Sequence, residues 1–181
     1  MSYPYNNGML TVGDEFPPFE LQGVNSSNEL VSVSVEGSYT PHKHDWSVIY
    51  FYPKDFTFIC PTEISAMDIL VDEANVIGIS GDNEFCKLAW KNDNELIGNI
   101  RHPLAADCGL YLSEELGIVN HKEGVCYRAT FIIDKDRMIQ HVSVNALDTG
   151  RNADEVLRTL QALKAGGLTG CSWAPEDDFV A

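Results

Sequence analysis

The chain of 181 residues is long enough for one globular domain, and its 44% hydrophobic and 22% charged residues suit such a domain. Its 27 acidic residues outnumber its 12 basic ones, and the net charge of −15 argues against nucleic acid or an anionic membrane as a partner. No apolar run approaches the roughly 18 residues of a transmembrane helix. The N-terminal sequence lacks the basic and apolar segments of a signal peptide, so a cytoplasmic protein is predicted.

The hydrophobic pattern alternates between strand-like and helix-like segments. In chain order, it predicts strands at 16–24, 30–35 and 46–52, a helix at 61–74, a strand at 75–80, helices at 83–96 and 113–117, strands at 126–134 and 138–145, and a helix at 152–163. The helix at 83–96 is amphipathic, and it is predicted to turn Phe85, Leu88 and Leu96 inward.

Strands that alternate with helices predict an α/β fold with a mixed central sheet flanked by helices. The nearly continuous apolar run at 46–52 suits a strand buried on both faces in the middle of that sheet. A strand, a cysteine at a helix start, another strand, a late hairpin and a closing helix are typical of a thioredoxin-like domain. We assign residues 1–164 to this domain and 165–181 to a tail that is predicted to be extended.

The five cysteines are not spaced as a static disulfide framework or as a zinc site. They are Cys60, Cys86, Cys108, Cys126 and Cys171. Their number is odd, and no two of them form a CxxC pair. In a reducing compartment they are either inert core thiols or redox-active thiols. The pair His42 and His44 is interpreted as part of a solvated loop, so neither a metal nor a cofactor is predicted.

Cys60 lies in the segment FYPKDFTFICPTEI, directly before a helix that begins at Pro61. The unpaired N–H groups and the dipole of a helix start favour a negative group, and the thiolate is the nucleophilic form of cysteine. Thr57 is three residues earlier and has a hydroxyl that can donate to the sulfur or to a bound oxygen. Pro53 provides a rigid apolar wall. A lone cysteine is more often a buried hydrophobe, but these neighbours favour a reactive one.

The position three residues after Cys60, where a dithiol oxidoreductase has its second cysteine, holds Glu63. A thiol that resolves oxidised Cys60 must therefore come from elsewhere in the chain, from another subunit or from another molecule. The missing CxxC disfavours a thiol–disulfide oxidoreductase of the thioredoxin type, which is one alternative function.

The segment at 51–64 resembles the signature of typical 2-Cys peroxiredoxins, most closely that of the alkyl hydroperoxide reductase C branch. The resemblance covers roughly residues 10–173, and it continues in VGDEFPPFEL, ISGDNEFCKLAW, HPLAAD, YRATFIID and GRNADEVLRTLQAL. It implies a thioredoxin-like peroxiredoxin fold and an antioxidant, thiol-specific peroxidase that needs no cofactor. Such an enzyme reduces hydrogen peroxide and organic hydroperoxides to water and alcohols.

The resemblance also implies a role for each residue of the signature. Cys60 would attack the O–O bond of the peroxide and become a sulfenic acid. Thr57 would hydrogen-bond the peroxide oxygens, and Pro53 would shield the sulfenic acid. These residues and Arg128 disfavour the second alternative, a non-catalytic chaperone that keeps the fold.

Three further residues resemble the charged group that surrounds this cysteine in the family. Arg128, in YRATFIID, matches the arginine that keeps the sulfur anionic and stabilises charge on the leaving oxygen. Glu63 and Arg151 match the pair that orients this arginine. The resemblance thus places one carboxylate and two guanidinium groups around Cys60.

Cys171 is the candidate resolving cysteine, because typical members use a C-terminal cysteine of the partner subunit to form an interchain disulfide. The match departs from the family pattern. Cys171 is two residues before Trp173, whereas the usual position, four residues before the tryptophan, holds Thr169.

Cys126 has two possible roles. Residues 126 and 128 face the same side of a regular strand, so Cys126 is expected near Arg128 and Cys60, where it is a conceivable local redox partner. The alternative is a small core thiol. Cys86 and Cys108 are expected to be structural.

The partners implied by the resemblance are peroxides, a second copy of the chain and a disulfide reductant. Family members form homodimers that assemble into rings, here a decamer or a dodecamer. An AhpD-type adaptor, a thioredoxin and a flavoprotein reductase are all open as the reductant.

Overall fold

The structure, a computed structural model, describes residues 8–35 and 44–181. His42 lies outside the described residues, and the Nε2 of His44 lies 3.2 Å from the carbonyl oxygen of Val71. In the described residues, no group of three or more His, Cys, Asp and Glu could hold a metal ion. No helix of the described part of the chain is long and apolar enough to cross a membrane.

The described residues contain nine strands and four α-helices. In chain order they are β1 (Glu20–Val24), β2 (Leu30–Ser34), β3 (Ser47–Phe51), α1 (Cys60–Met67), β4 (Asn75–Ser80), α2 (Glu84–Asp93), β5 (Leu104–Ala106), α3 (Tyr111–Glu115), β6 (Val119–Asn120), β7 (Val125–Cys126), β8 (Arg128–Ile133), β9 (Ile139–Asn145) and α4 (Ala153–Ala165). A short 3₁₀ helix, Asp68–Asp72, follows α1. Each predicted strand and helix corresponds to at least one of these elements.

Seven strands form one mixed sheet in the order β2-β1-β5-β4-β3-β8-β9. The β3–β4 and β4–β5 pairs are parallel, and the β3–β8 and β8–β9 pairs are antiparallel. Every residue of β3 and β4 is buried, which confirms for β3 the prediction of a central strand covered on both faces. The predicted α/β fold with a mixed sheet and a late hairpin is therefore confirmed.

The core is divided by this sheet into two clusters. Ile49 and Phe51 of β3 point into one cluster, and Val48 and Tyr50 point into the other, as the two-residue repeat of a strand requires. Cys60 belongs to the second cluster, together with residues of α1, α2 and α4. The site described below therefore lies on the face of the sheet that these three helices cover.

The inward face of α2 differs from the predicted one. Leu88 is half-buried, but the prediction that Phe85 and Leu96 face inward is wrong, because they are 63% and 54% exposed. The helix instead buries Lys87, Trp90 and Lys91. Hydrophobic periodicity treats lysine as a solvent-facing residue. It therefore misidentifies the inward face of a helix such as α2, whose lysines are buried because they have polar partners in the interior.

The tail after α4 has no helix or strand, but it folds back on itself and is not extended. The N–H of Val180 donates to the carbonyl oxygen of Leu168 at 2.9 Å. The ring of Trp173 is buried and stacks on Phe179 with a centroid separation of 6.3 Å. Arg158 of α4 donates to the carbonyl oxygen of Trp173 at 3.0 Å, which attaches the folded tail to the domain.

Candidate active site

Cys60 is the first residue of α1, and only 1% of its surface is exposed. The segment at 53–59, called the Cys60 loop below, connects it to the end of β3. The N–H groups of Thr62 and Glu63 donate to the carbonyl oxygen of Ile59, and Pro61 occupies the first turn, where its missing N–H costs no helical hydrogen bond. The predicted position of Cys60 at a helix start is confirmed.

Arg128 contacts Cys60 directly. Its Nη1 lies 3.4 Å from Cys60 Sγ and 2.5 Å from Glu63 Oε2, and its Nε donates to the carbonyl oxygen of Leu147 at 2.7 Å. Burial lowers the pKa of Arg128, but the hydrogen bonds and charges of Cys60 and Glu63 outweigh it, so the pKa lies above its ordinary value. The guanidinium therefore stays charged beside the sulfur.

Glu63 holds a second guanidinium through its other carboxylate oxygen. The backbone N–H and the Nε of Arg151 both donate to Glu63 Oε1 at 3.0 Å. Arg151 also donates to the carbonyl oxygen of Phe51 at 2.5 Å and to the hydroxyl of Thr130 at 3.2 Å. A buried carboxylate needs such saturation, because desolvation is offset only when its lone pairs are occupied.

The charges of this group do not balance by themselves. The two guanidiniums of Arg128 and Arg151 carry two positive charges, and Glu63 supplies one negative charge in a buried environment. Cys60 Sγ lies at hydrogen-bonding distance from Arg128. Interactions between charges are strong where water is excluded, so the surplus positive charge is placed to stabilise negative charge that develops at the sulfur and at a reacting oxygen.

Thr57 and Pro53 are both half-buried residues of the Cys60 loop. The hydroxyl of Thr57 donates to the carbonyl oxygen of Lys54 at 2.9 Å, not to Cys60 Sγ. The structure thus brings Cys60 and its charged group into contact and places Thr57 in the adjacent loop. The hydroxyl of Thr57 has to turn away from Lys54 before it can donate to a ligand at the sulfur.

The prediction that Cys126 lies near Arg128 is wrong. The strand breaks between β7 and β8, where the N–H of Ala129 donates to the carbonyl oxygen of Tyr127 at 2.9 Å, so the two-residue repeat is interrupted. Cys126 packs in the core cluster on the other face of the sheet, and its thiol donates to the carbonyl oxygen of Tyr52 at 3.1 Å. Burial raises the pKa of Cys126 to about 12, and the alternative of a core thiol is confirmed.

The remaining three cysteines lie outside the core clusters. Cys171 is exposed in the folded tail, and neither it nor Cys60 forms a disulfide. Cys86 is half-buried, and Cys108 is exposed. Partial burial, followed by nearby carboxylates, raises the pKa of both Cys86 and Cys108, which disfavours their reactive form. Their structural role stays a prediction.

A second buried charged group, which the sequence reasoning missed, contacts the Cys60 loop. Lys87 Nζ lies 3.3 Å from Asp55 Oδ1, 2.5 Å from Ser80 Oγ and 3.2 Å from the hydroxyl of Tyr52. Asp55 also accepts a hydrogen bond from Ser80 Oγ at 2.9 Å. The one feature of the sequence that could have indicated a buried Lys87 is its spacing from Trp90, because residues three apart lie on the same face of a helix.

A third group of polar side chains, which the sequence also did not indicate, lies next to Arg151. The guanidinium of Arg151 lies over the ring of Tyr50, 5.0 Å from its centroid. The hydroxyl of Tyr50 lies 2.7 Å from His102 Nε2, and His102 Nδ1 lies 2.8 Å from Asp68 Oδ1. Burial lowers the pKa of His102, so the neutral ring donates from Nδ1 to Asp68 and accepts from Tyr50.

Comparison with known proteins identifies one family over most of the chain. The AhpC/TSA family matches residues 12–142. A putative peroxiredoxin, YkuU of Bacillus subtilis, is 42% identical over 172 residues, which cover 91% of this chain and 94% of that protein. The alkyl hydroperoxide reductase C of Mycobacterium tuberculosis is 38% identical over 181 residues, with 93% and 92% of the two chains covered.

Two solved structures are similar over nearly the whole fold. The reduced 2-Cys peroxiredoxin of Plasmodium vivax superposes with a TM-score of 0.82 at 31% identity, and the match covers 92% of this chain and 91% of that one. AhpC of Mycobacterium tuberculosis superposes with a TM-score of 0.80 at 35% identity and covers 92% and 99% of the two chains.

Proposed function

The chain belongs to the AhpC/TSA family, and from this premise we propose that Cys60 carries out its reaction. Its relatives are named peroxiredoxin and alkyl hydroperoxide reductase, so the chain is a thiol-dependent peroxidase. The single observation that supports Cys60 as the reacting thiol is its 3.4 Å contact with Arg128 in a buried group with surplus positive charge. The substrates are hydrogen peroxide and organic hydroperoxides, which are reduced to water and alcohols.

In the first step, the Cys60 thiolate attacks one oxygen of the peroxide. A sulfur–oxygen bond forms, the O–O bond breaks, and its electron pair leaves on the second oxygen, which takes up a proton as water or an alcohol. The sulfur is oxidised to sulfenic acid by two electrons. Arg128 stabilises the charge on the leaving oxygen, because its guanidinium is fixed before the reaction by Glu63 and by Leu147.

Two residues of the Cys60 loop complete this site. Thr57, once turned from Lys54, donates to the peroxide oxygen that becomes bonded to sulfur. Pro53 shields the sulfenic acid from a second peroxide. Glu63 and Arg151 act through Arg128, whose orientation they determine.

In the second step, Cys171 of the partner subunit attacks the sulfenic sulfur. A disulfide forms, and the sulfenic oxygen leaves as water. Because Cys60 is only 1% exposed, the Cys60 loop or the first turn of α1 has to open before the two sulfurs can meet. The exposure of Cys171 supports this assignment, because an exposed thiol can reach a partner subunit. Residues 165–181 thus form the resolving segment, and residues 1–164 form the peroxidase domain.

The test combines Cys60→Ser, Cys171→Ser and the unaltered protein, each treated with one equivalent of hydrogen peroxide. We expect Cys60→Ser to lose peroxide consumption with a dithiol reductant. The unaltered protein should give a dimer on a non-reducing gel, with a Cys60–Cys171 link in peptide mass spectrometry. Cys171→Ser should keep the sulfenic acid and form no dimer. Full activity in Cys60→Ser would overturn the proposed site.

The proposed assembly is a homodimer that forms a ring, either a decamer or a dodecamer. Strand β9 is an edge of the seven-stranded sheet, and Phe58 of the Cys60 loop is 96% exposed. Free sheet edges and exposed aromatic rings are both typical of surfaces covered by another chain. Light scattering after size-exclusion chromatography measures the copy number, and a monomer at micromolar concentration would contradict the ring.

The proposed reductant of the disulfide is an AhpD-type adaptor, a thioredoxin or a flavoprotein reductase. Peroxide turnover with each of the three separates them. The proposed location is the cytoplasm, because a cycle that returns Cys60 and Cys171 to thiols needs a reducing compartment. Cell fractionation tests this location, and recovery of the protein outside the cytoplasmic fraction would contradict it.

A further inference from the structure

We propose that Lys87 is a positioning residue for the reaction at Cys60. Its ammonium group holds Asp55 and, through Asp55, fixes the conformation of the Cys60 loop, which carries Pro53 and Thr57 and leads into Cys60. The inference rests on the proposed role of Cys60, and it assigns to α2 a direct part in the peroxidase reaction.

The side chain of Lys87 is buried, and its ammonium group is surrounded by specific polar partners. It is 0% exposed, and its Nζ contacts Ser80 Oγ at 2.5 Å and both carboxylate oxygens of Asp55 at 3.3 and 3.4 Å. The same Nζ lies over the ring of Tyr52, 5.2 Å from its centroid. A buried ammonium is tolerated only when it is paired, so Lys87 and Asp55 each depend on the other.

Asp55 is the point at which the Cys60 loop enters the protein interior. It is the one buried residue among residues 53–59, and the others are half-buried or exposed. Its carboxylate accepts from Lys87 and from Ser80, and its backbone N–H donates to Asp82 Oδ2 at 2.7 Å. The loop is therefore anchored through both the side chain and the backbone of one residue.

The next residue of the loop has a conformation that needs such an anchor. Phe56 has φ +54°, in the left-handed region that a bulky side chain rarely adopts. This conformation persists only when surrounding contacts hold it. The ring of Phe56 lies against Trp90 at a centroid separation of 5.9 Å, and Trp90 is on the same face of α2 as Lys87. Helix α2 thus holds two successive loop residues.

The reactive groups flank this anchored pair in the chain. Pro53 comes two residues before Asp55, and Thr57 follows Phe56 directly. If Lys87 no longer holds Asp55, Phe56 is free to leave the left-handed region, and both flanking residues move relative to Cys60. Displacements of about 1 Å from a remote change can lower a rate roughly 100-fold, because reacting groups must be aligned.

The experiment compares Lys87→Met with Lys91→Met. Lys91 is a matched control, because it is 1% exposed on the same face of α2 but donates to the carbonyl oxygen of Asn25 at 2.7 Å, outside the Cys60 loop. Two rates are measured: oxidation of Cys60 by hydrogen peroxide in stopped flow, and alkylation of Cys60 by iodoacetamide, followed by peptide mass spectrometry.

We expect Lys87→Met to lower the second-order rate constant with hydrogen peroxide by roughly 10- to 100-fold. The alkylation rate should rise, because a loosened loop exposes the buried sulfur. Lys91→Met should leave both rates within about twofold of the unaltered protein. A circular dichroism spectrum and a melting curve like those of the unaltered protein exclude general unfolding, which would also slow peroxide oxidation and expose Cys60 to iodoacetamide.

A double variant keeps the proposal falsifiable if Lys87→Met does not fold. Changing Asp55→Asn together with Lys87→Met removes both charges, so no unpaired buried charge remains. The double variant should show the same fall in peroxide reactivity. A wild-type peroxide rate constant in the folded single or double variant would overturn the positioning role. Cys60→Ser tests the proposed function separately, since its result does not depend on Lys87.

Discussion

Two buried charged groups flank the same stretch of chain, and they differ in charge balance. In the group around Glu63, two arginines face one carboxylate, so the group has a surplus positive charge next to Cys60. In the other group, one lysine faces one aspartate, and the two are already neutral as a pair. A buried group with a surplus positive charge can take part in a reaction, because it stabilises negative charge that develops on a neighbouring atom.

The Lys87–Asp55 pair has a structural role. Lys87 and Asp55 gain nothing from a charge on a ligand, but they join a fixed helix to a loop whose position matters. The hydroxyls of Ser80 and Tyr52 occupy the remaining hydrogen-bonding positions of this pair. Burial alone therefore does not identify which charged group takes part in the reaction, whereas the net charge of each group does.

The largest expected effect comes from the unbalanced group. Arg128→Met removes the donor to Cys60 and should lower the rate constant with hydrogen peroxide by roughly 100- to 1,000-fold, as the loss of a preorganised donor does. Arg128→Lys keeps a charge but loses the planar fork, so it should recover only part of the rate. Stopped-flow oxidation measures both. A rate constant for Arg128→Met within threefold of the unaltered protein would remove Arg128 from the reaction.

The second prediction concerns the stability of the same group. Glu63→Gln removes the one carboxylate that pairs with both Arg128 and Arg151 in a buried site, so the free energy of unfolding should fall by about 3–5 kcal/mol. Urea titration followed by circular dichroism measures this loss. Glu123→Gln is the control, because Glu123 is exposed and its substitution should change stability by less than about 0.5 kcal/mol. Equal stability of the two variants would contradict a paired role for Glu63.

The third prediction concerns His102, which lies between Tyr50 and Asp68 in the group next to Arg151. The pKa of His102 is lowered by burial, so the unfolded state binds more protons than the folded state as the pH falls below about 6.5. Stability from the neutral ring is fully present above that pH and is lost as the pH falls towards the lower pKa of the folded state. Around the ring lie Tyr50, Asp68, Lys91 and Arg101.

Thermal unfolding between about pH 7.5 and pH 5 measures this dependence. The unaltered protein should lose stability over this range more steeply than His102→Asn, which has no titratable side chain at position 102. Parallel stability curves for the two proteins would show that His102 does not contribute.

The smallest expected effect is at the cysteine on the other face of the sheet. Cys126→Ala should leave both the peroxide rate constant and disulfide formation unchanged, because Cys126 packs away from Cys60. Its loss of stability should be about 1 kcal/mol, as for the removal of a small buried group. Stopped flow and non-reducing gels measure the first two quantities. Slower disulfide formation in Cys126→Ala would reopen a redox role for this thiol.

Much of the fold was predictable because it depends on local patterns. The apolar runs of β3 and β4 indicated central strands, and Pro61 after Cys60 indicated the start of α1. Hydrophobic periodicity failed on α2, where it turned Phe85 and Leu96 inward and did not identify the buried Lys87 and Lys91. It also failed at Tyr127, where a single irregular residue turned Cys126 to the opposite face from Arg128.

The local chemistry of this protein follows from its sequence: Pro53, Thr57 and Cys60 occupy one short segment, and the helix that follows begins at the cysteine. The distribution of charges around that cysteine depends on the tertiary structure. Arg128 is 68 residues from Cys60 in the chain, and Lys87 is 32 residues from Asp55. The physical reason is that local patterns report burial and backbone preference, whereas the energy of a buried charge depends on distant partners that only the folded chain brings within hydrogen-bonding distance.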